Sequence, residues 1–374
     1  MKFKIHKWPR LLALGAVGTT VVASFALPAS ASNNPNNVNV VGYSVVGPAI
    51  KAAESAFQAT PAGQGVTFTN SIGASGTEAT AVANGLPADV VNLSYYSDEQ
   101  GLVAKGDIPS NWSSQEDTIA GVNPALTGTS AVTTYSTPGI VTDSTVVFIV
   151  RAGNPLGIKN WGQLTASDVQ IVTPNPATSG SAKWNLLAAY AAWIATGHTA
   201  KQSQNFLKSV IQHTVAQPPS GSTALSTFLA GTGNVLLDYE DDAIAAQNAG
   251  DKITVVVPPQ TLLIENPIAL TNTGLNKPAA VAFYKYLFSP GGQGIFAYLG
   301  YRSVLKSVWT QTEFKFAPFK KPTDLQTVES LNAGGWPVLD PEFFSTTVAF
   351  PNGSTTYPNQ GIVTYLEQFA GQDS

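Results

Sequence analysis

Cysteine is absent from this 374-residue chain. Its absence excludes a disulfide framework, a thiolate metal site, a cysteine nucleophile and a lipid-modified N-terminal cysteine. Histidine is nearly as scarce. His6, His198 and His213 are too few and too dispersed to gather around zinc or copper. Neither His198 nor His213 stands in a nucleophile-elbow context, and both are expected at the surface near helix ends. Charge is thin as well: 19 basic and 23 acidic residues make up 11% of the chain, against about 25% in ordinary domains. The net charge of −4 leaves no basic field for nucleic acid or an anionic membrane surface. Ser, Thr, Asn and Gln must wet the surface, which suits an acidic exterior where carboxylates lose charge. Apolar residues at 44% and aromatics at 10% are enough for buried cores and exclude a disordered chain. The length suits about two domains.

The first residues read as an export signal. Lys2, Lys4, Lys7 and Arg10 precede an apolar stretch from Leu11 to Leu27, and Ala29-Ser30-Ala31 supplies a small-x-small cleavage pattern. Residues 1–31 are therefore expected to be a signal peptide cut after Ala31, and 32–37 a polar tether. No later segment approaches 18 apolar residues. The mature protein is expected outside the cytoplasm, in a periplasm or at the cell exterior, without a lipid anchor.

Beyond the tether, strands and helices alternate. Val38 to Ser44, Val66 to Asn70 and Ala88 to Leu93 read as strands, separated by helical spacing over Ala49 to Ala59 and Thr77 to Asn84. The pattern weakens from Ser110 to Thr142, a Thr/Ser/Gly-rich stretch expected to wrap the surface. Thr145 to Arg151 is the strongest β-branched run. A second unit follows, with strands at Val169 to Val172 and Val235 to Tyr239 and an apolar helix over Ala182 to Thr196. Helices at Pro278 to Phe288 and Gly291 to Leu299 should return to the first unit. The expected fold is α/β, with two lobes joined by more than one chain crossing: residues 38–145 plus 263–374 as one lobe, 146–262 as the other. Such lobes bind ligands in the cleft between them, at the carboxyl ends of strands.

Four strand-to-helix junctions carry small hydroxyl and glycine residues: Tyr43-Ser44, Gly73-Ala74-Ser75-Gly76, Thr178-Ser179-Gly180-Ser181 and Ser220-Gly221-Ser222-Thr223. Each helix start leaves N–H groups without an intrahelical partner and concentrates the positive end of a helix dipole. Glycine lets backbone approach an anion, and Ser hydroxyls add donors, so the set can cradle an anion without Lys or Arg. Ser and Gly are also the ordinary N-cap and turn residues. On pattern alone the two readings stand level, and the anion is not named.

The residues resemble those of the periplasmic sulfate-binding proteins, substrate receptors of ATP-binding-cassette importers. The resemblance runs from about Val38 to Phe344. It rests on Gly73-Ala74-Ser75-Gly76 with Ala79-Thr80, Ala88-Asp89-Val90-Val91, Ser144 to Arg151 with Gly153-Asn154-Pro155, and Thr173-Pro174-Asn175-Pro176 with Ser179-Gly180 and Lys183-Trp184-Asn185. Tyr286 to Pro290 and Gly334-Gly335-Trp336 match later in the chain. The resemblance implies the type II two-lobe architecture and a monomeric, non-enzymatic receptor. It further implies capture of sulfate or thiosulfate without metal or cofactor, for delivery to a membrane permease. The implied ligand-binding set is Ser44, Ser75, Gly76, Ser179, Gly180, Ser181, Ser220 and Tyr239. Ser44 stands where the family has Asp, Ser181 where it has a second glycine, and Tyr239 where it has an indole donor. Pro219, at a family donor position, has no N–H.

A proton-free sulfate only accepts hydrogen bonds, so a pocket of donors alone satisfies it, whereas protonated phosphate also needs an acceptor. Asp143, Asp238 and Glu240 are the nearest candidate acceptors, the last two facing away from Tyr239 by strand alternation. A phosphate or molybdate receptor of the same architecture and, more remotely, a secreted hydrolase are the alternatives. Arg151 is expected to pair with a carboxylate and Lys183 to point into solvent, leaving the anion to neutral donors and its affinity nearly independent of pH.

Overall fold

A computed structural model describes residues 34–121, 139–309, 322–346 and 360–372. The expected signal peptide, the first tether residues and most of the Thr/Ser/Gly-rich stretch lie outside these. Among the described residues no helix is long and apolar enough to cross a membrane.

The first sheet has the order β10-β3-β1-β2. Its centre is β1 (Asn37–Tyr43), parallel to β2 (Thr67–Gly73) and β3 (Val90–Asn92), with β10 (Ala269–Leu270) antiparallel at the edge of β3. The Val-rich run of β1 is buried on both faces, as a central parallel strand requires. Asn37, expected to be tether, is already paired with Thr67. The crossover helices are α1 (Gly47–Gln58) and α2 (Ser75–Ala83), and α3 (Tyr96–Lys105) follows β3. The strand-and-helix alternation therefore continues into 96–105, where the sequence pattern named no element.

The second sheet runs β12-β9-β4-β7-β5-β6, with β8 and β11 also paired to β4. Its organiser is β4 (Ile140–Arg151), twelve residues long, or about 40 Å at roughly 3.3 Å per residue. The first half of β4 pairs with β9 (Gln260–Pro267) and β11 (Arg302–Ser303). From Val146 onward it pairs with β7 (Val235–Tyr239), and from Phe148 with β8 (Ile253–Val256). β5 (Ile171–Val172) lies between β7 and β6 (Thr214–Ala216), parallel to both. Thus β4 carries the chain towards this sheet and β9 brings it back antiparallel. Around the sheet lie α4 (Gly180–Ala195), α5 (Ala200–Gln212), α6 (Gly221–Leu229) and α7 (Glu240–Ala249). α4 is apolar nearly all round and almost wholly buried, which its Ala/Leu/Trp composition dictates.

α8 (Pro278–Leu287) and α9 (Pro290–Tyr298) return to the first unit. There Phe283 packs on Phe57 and Phe68 at ring-centroid distances of 5.5 and 4.7 Å. The tail, expected with 263–374 in the first lobe, makes contacts with the second sheet and its helices. β12 (Asp324–Gln326) pairs with β9, and α10 (Trp336–Phe344) packs Phe343 on Tyr190 of α4 at 4.9 Å. The turn Glu367–Phe369 receives Lys208 of α5 over the Phe369 ring and a hydrogen bond from Gln217 to Glu367. Tail aromatics cover apolar surface on α4 and α5 that the second sheet leaves open, and that burial decides where the tail lies.

Several carboxylates are buried in these cores. Burial pushes Glu54 up to about 7, against the hydrogen bond from Asn70 and the charge of Lys51, and pushes Glu116 to the same region. The folded state therefore holds these protons more tightly than the unfolded chain does. The resulting stabilisation is complete below about 4.5, the ordinary Glu value, and declines as pH rises through 7. The melting temperature should be several degrees higher near pH 5 than near pH 7.5, and Glu54→Gln should flatten the pH profile, as measured by calorimetric melting.

Candidate functional site

Four helix starts meet where strands of both sheets end. β1 passes through the tight turn Ser44–Val46 into α1, and α2 begins at Ser75 after β2. α4 begins at Gly180 after the loop leaving β5, and α6 at Gly221 after β6. The first three N–H groups of each helix have no acceptor inside it.

Close contacts knit these starts together. The Gly76 N–H donates to the Thr178 carbonyl at 3.0 Å, tying α2 to the approach to α4. The Ser222 N–H donates to the Ser44 hydroxyl at 3.3 Å, tying α6 to the end of β1. A Cβ on Gly221 would stand 2.9 Å from Val45 Cγ2 and 3.1 Å from Ser181 Oγ. One on Gly180 would stand 2.7 Å from Ser94 Oγ, so glycine is what permits both approaches. Tyr239, fully buried at the end of β7, has its hydroxyl 2.8 Å from Ser94 Oγ and bonded also to Ser181. Burial holds that phenol well above its usual range and therefore protonated. Ser179, also buried, is the N-cap residue of α4. The eight candidates Ser44, Ser75, Gly76, Ser179, Gly180, Ser181, Ser220 and Tyr239 thus lie on the helix starts and strand ends of one cluster.

Their roles are unequal. The Ser75 hydroxyl gives its proton to Asp98 and accepts from the Ser94 N–H at 2.8 Å, so Ser75 offers the site its backbone N–H rather than its side chain. The Gly76 N–H is spent on Thr178. Ser220 is an ordinary N-cap, its hydroxyl accepting from Thr223 N–H at 3.3 Å. Gly180, Ser181 and Gly221 keep first-turn N–H groups that need acceptors from outside their helices.

The charged residues also differ from expectation. Arg151 does not meet a carboxylate: its guanidinium stacks 3.9 Å over the Phe228 ring and donates to the carbonyls of Phe228, Thr232 and Gly233, at the C-terminal end of α6. Lys183 does not point into solvent: its ammonium bonds the Tyr95 hydroxyl and sits 3.4 Å from Asp340. Glu240 is held by Arg302 at 2.7 and 3.1 Å, and Asp238 accepts from the Tyr239 N–H. Asp143 lies in β4, in register with Glu265 and Arg302. Asp98 also reaches the cluster, through the Ser75 hydroxyl. Burial pushes it up to about 6, opposed by the Lys183 charge and the Ser75 hydrogen bond.

Sequence reasoning missed Asp98 and Ser94. Ser94 is fully buried; besides its contacts to Ser75 and Tyr239, its carbonyl accepts from Trp184 Nε1 at 2.8 Å and Asn266 Nδ2 at 3.2 Å. It lies two residues past the end of β3, so the strand-end rule applied there would have found it. His198 and His213 stand in no triad geometry among the described residues. His198 stacks on Trp193 just before α5, and His213 caps the C-terminal end of α5 with its ring nitrogen on the Ser209 carbonyl. Among the described residues no group of three or more His, Asp or Glu side chains is gathered as a metal ion would require.

Known proteins share both sequence and fold with this chain. The sequence profile of the bacterial extracellular solute-binding proteins matches residues 38–302. A sulfate-binding protein of Synechococcus elongatus is 34% identical over 321 residues, covering 84% of this chain and 85% of its own. A thiosulfate-binding protein of Escherichia coli is 32% identical over 293 residues, 76% of this chain and 80% of its own. Among solved structures, the sulfate-binding protein SubI of Mycobacterium tuberculosis superposes with a TM-score of 0.73 at 36% identity, over 83% of this chain and 100% of that one.

The two serine types separate experimentally. Ser220→Ala should lower the unfolding free energy by about 1 kcal/mol, the usual loss for an N-cap, in urea titrations. Ser94→Ala removes a buried hydroxyl that bridges to Tyr239 and should cost roughly 1–3 kcal/mol.

Proposed function

The chain belongs to the bacterial extracellular solute-binding proteins, and from that premise we propose that it is an extracytoplasmic receptor that captures sulfate or thiosulfate between two lobes. The lobes are residues 38–145 with 263–309, and 146–262 with the tail packed on it. The leader exports the chain, and the loaded receptor delivers its anion to the membrane permease of an ATP-driven importer. The relatives are binding proteins rather than enzymes.

One observation carries the reading: helix starts on β1, β2, β5 and β6 face one another, while the basic side chains beside them are engaged elsewhere. First-turn N–H groups of α2, α4 and α6 and the protonated Tyr239 are the donors. Helix starts each supply about half a positive charge, so three or four offset a dianion without desolvating an ammonium. Ser44, Ser179 and Ser181 line the same place.

Asp98 revises the expectation of pH-independent affinity. Above about 6 it is ionised, and a dianion must then enter beside a negative charge. Anion binding favours its protonated form, so affinity should tighten as pH falls from 7.5 to 5.5, by about three- to tenfold. Asp98→Asn should weaken that dependence, leaving what buried Asp241, pushed up to about 8 by burial, contributes through Tyr239.

Calorimetry with sulfate, thiosulfate, phosphate and molybdate tests the proposal. Tight sulfate or thiosulfate binding with weak or absent phosphate binding is expected. Tight phosphate binding with none for sulfate or thiosulfate would overturn it and mark Asp98 as the acceptor a protonated phosphate needs. Gly180→Ala puts a methyl against Ser94 and should weaken binding by at least about tenfold, because the lobes can no longer approach.

A further inference from the structure

α10 of the tail reaches the two lobes where they meet. Trp336, 2% exposed, packs edge-on against Tyr95 at 5.2 Å and against Trp184 at 4.8 Å. Tyr95 is the N-cap residue of α3 on the first unit, and Trp184 lies in the early part of α4 on the second. One turn beyond Trp336, Asp340 accepts from the Tyr95 hydroxyl at 3.2 Å and sits 3.4 Å from Lys183 Nζ. Lys183 donates to the same Tyr95 oxygen, and its ammonium lies 4.3 Å from the Tyr95 ring centroid and 5.3 Å from that of Phe344. The donors run in one direction: ammonium to phenol, phenol to carboxylate. Burial holds the Tyr95 phenol protonated, so it can donate to Asp340.

The position of this chain of contacts is the informative part. Tyr95 follows Ser94, which touches Gly180 and Tyr239; Lys183 lies one turn along from Gly180. Cradle and tail contact therefore stand within a few residues of each other on both units. The Lys183–Asp340 pair is also only partly exposed, at 17% and 27% of the side chains, which spares it some of the screening that weakens surface pairs. Asp340 further keeps the Lys183 ammonium, beside the α4 start, directed at the tail instead of at the cradle.

We propose that Asp340, acting through Lys183 and Tyr95, is a positioning residue for anion capture: it clasps the tail across the closed cleft and sets how fast the bound oxyanion is released. This rests on the receptor reading above. A clasp made only after closure lowers the dissociation rate and leaves the encounter rate alone.

Stopped-flow tryptophan fluorescence with sulfate and with thiosulfate, on the whole protein, tests it, since Trp184 and Trp336 report the clasp directly. Asp340→Asn, close in shape but uncharged, should raise the dissociation rate about tenfold, keep the association rate within about twofold, and leave the ligand-free melting temperature unchanged. Asp340→Glu should restore part of the loss. Asp340→Asn combined with Lys183→Met should release the anion no faster than the faster single variant, because the two substitutions break one contact. An unchanged dissociation rate in Asp340→Asn would overturn the clasp. So would a slowed association rate or a lowered ligand-free melting temperature, each of which marks a merely structural contact. If the unmutated protein binds neither anion, the receptor reading fails first and the clasp falls with it.

Discussion

The constraint on which the rest depends is that the first N–H groups of a helix have no acceptor inside it. At most helix starts, water or a capping side chain supplies one, as Ser289 does for Gly292 at α9. The starts of α2 and α4 have no capping side chain, and with the Ser220-capped start of α6 they are pressed together in a place lined by buried Ser75, Ser94, Ser179, Ser181 and Tyr239. Donors crowded this closely repel unless an acceptor-rich partner stands among them, and an oxyanion is such a partner. The glycines at 180 and 221 are the steric condition for that crowding.

The handling of charge follows from the same constraint. Arg302 is held by Glu240, Lys277 by Asp89, Lys183 by Tyr95 and Asp340, and Arg151 by three carbonyls at the end of α6. Each basic group is satisfied by a contact of its own, so the backbone dipoles are left to face the site. An ammonium drawn into the cradle would have to shed its hydration, which costs several kcal/mol. Helix starts, being already fixed by their helices, carry no such cost. The low content of charged residues is consistent with a site built in this way.

Ser94 shows how the two units are made into one site. Its N–H, hydroxyl and carbonyl all have partners, reaching Ser75 on the first unit and Tyr239 and Trp184 on the second. Its neighbour Tyr95 reaches the tail through Asp340 and Trp336. A two-residue segment after β3 therefore touches the first unit, the second unit and the tail. β4 and β9, running antiparallel through the middle, keep those parts in register.

Local pattern was enough to show most of the strands and helices and the four Ser/Gly helix starts. These are properties of a few neighbouring residues: β-branched runs extend, helical spacing buries one face, and Ser or Gly begins a helix. The eight candidate residues came from the family resemblance laid over that pattern, and local pattern alone did not separate an anion cradle from plain helix capping. The contacts of Lys183, the partners of Arg151, the approach of Asp98 to Ser75 and the course of the tail were not legible there. Lys183 and Asp340 are 157 positions apart, and Arg151 and Gly233 are 82. Nothing in the neighbourhood of either member announces the other. Which hydroxyls donate to a ligand and which merely cap a helix likewise depends on the atoms brought against them across the cleft. The sequence by itself determined where helices begin and what donors stand there; only the tertiary structure decided which donors remain unspent, because spending them takes acceptors from the other lobe and the tail.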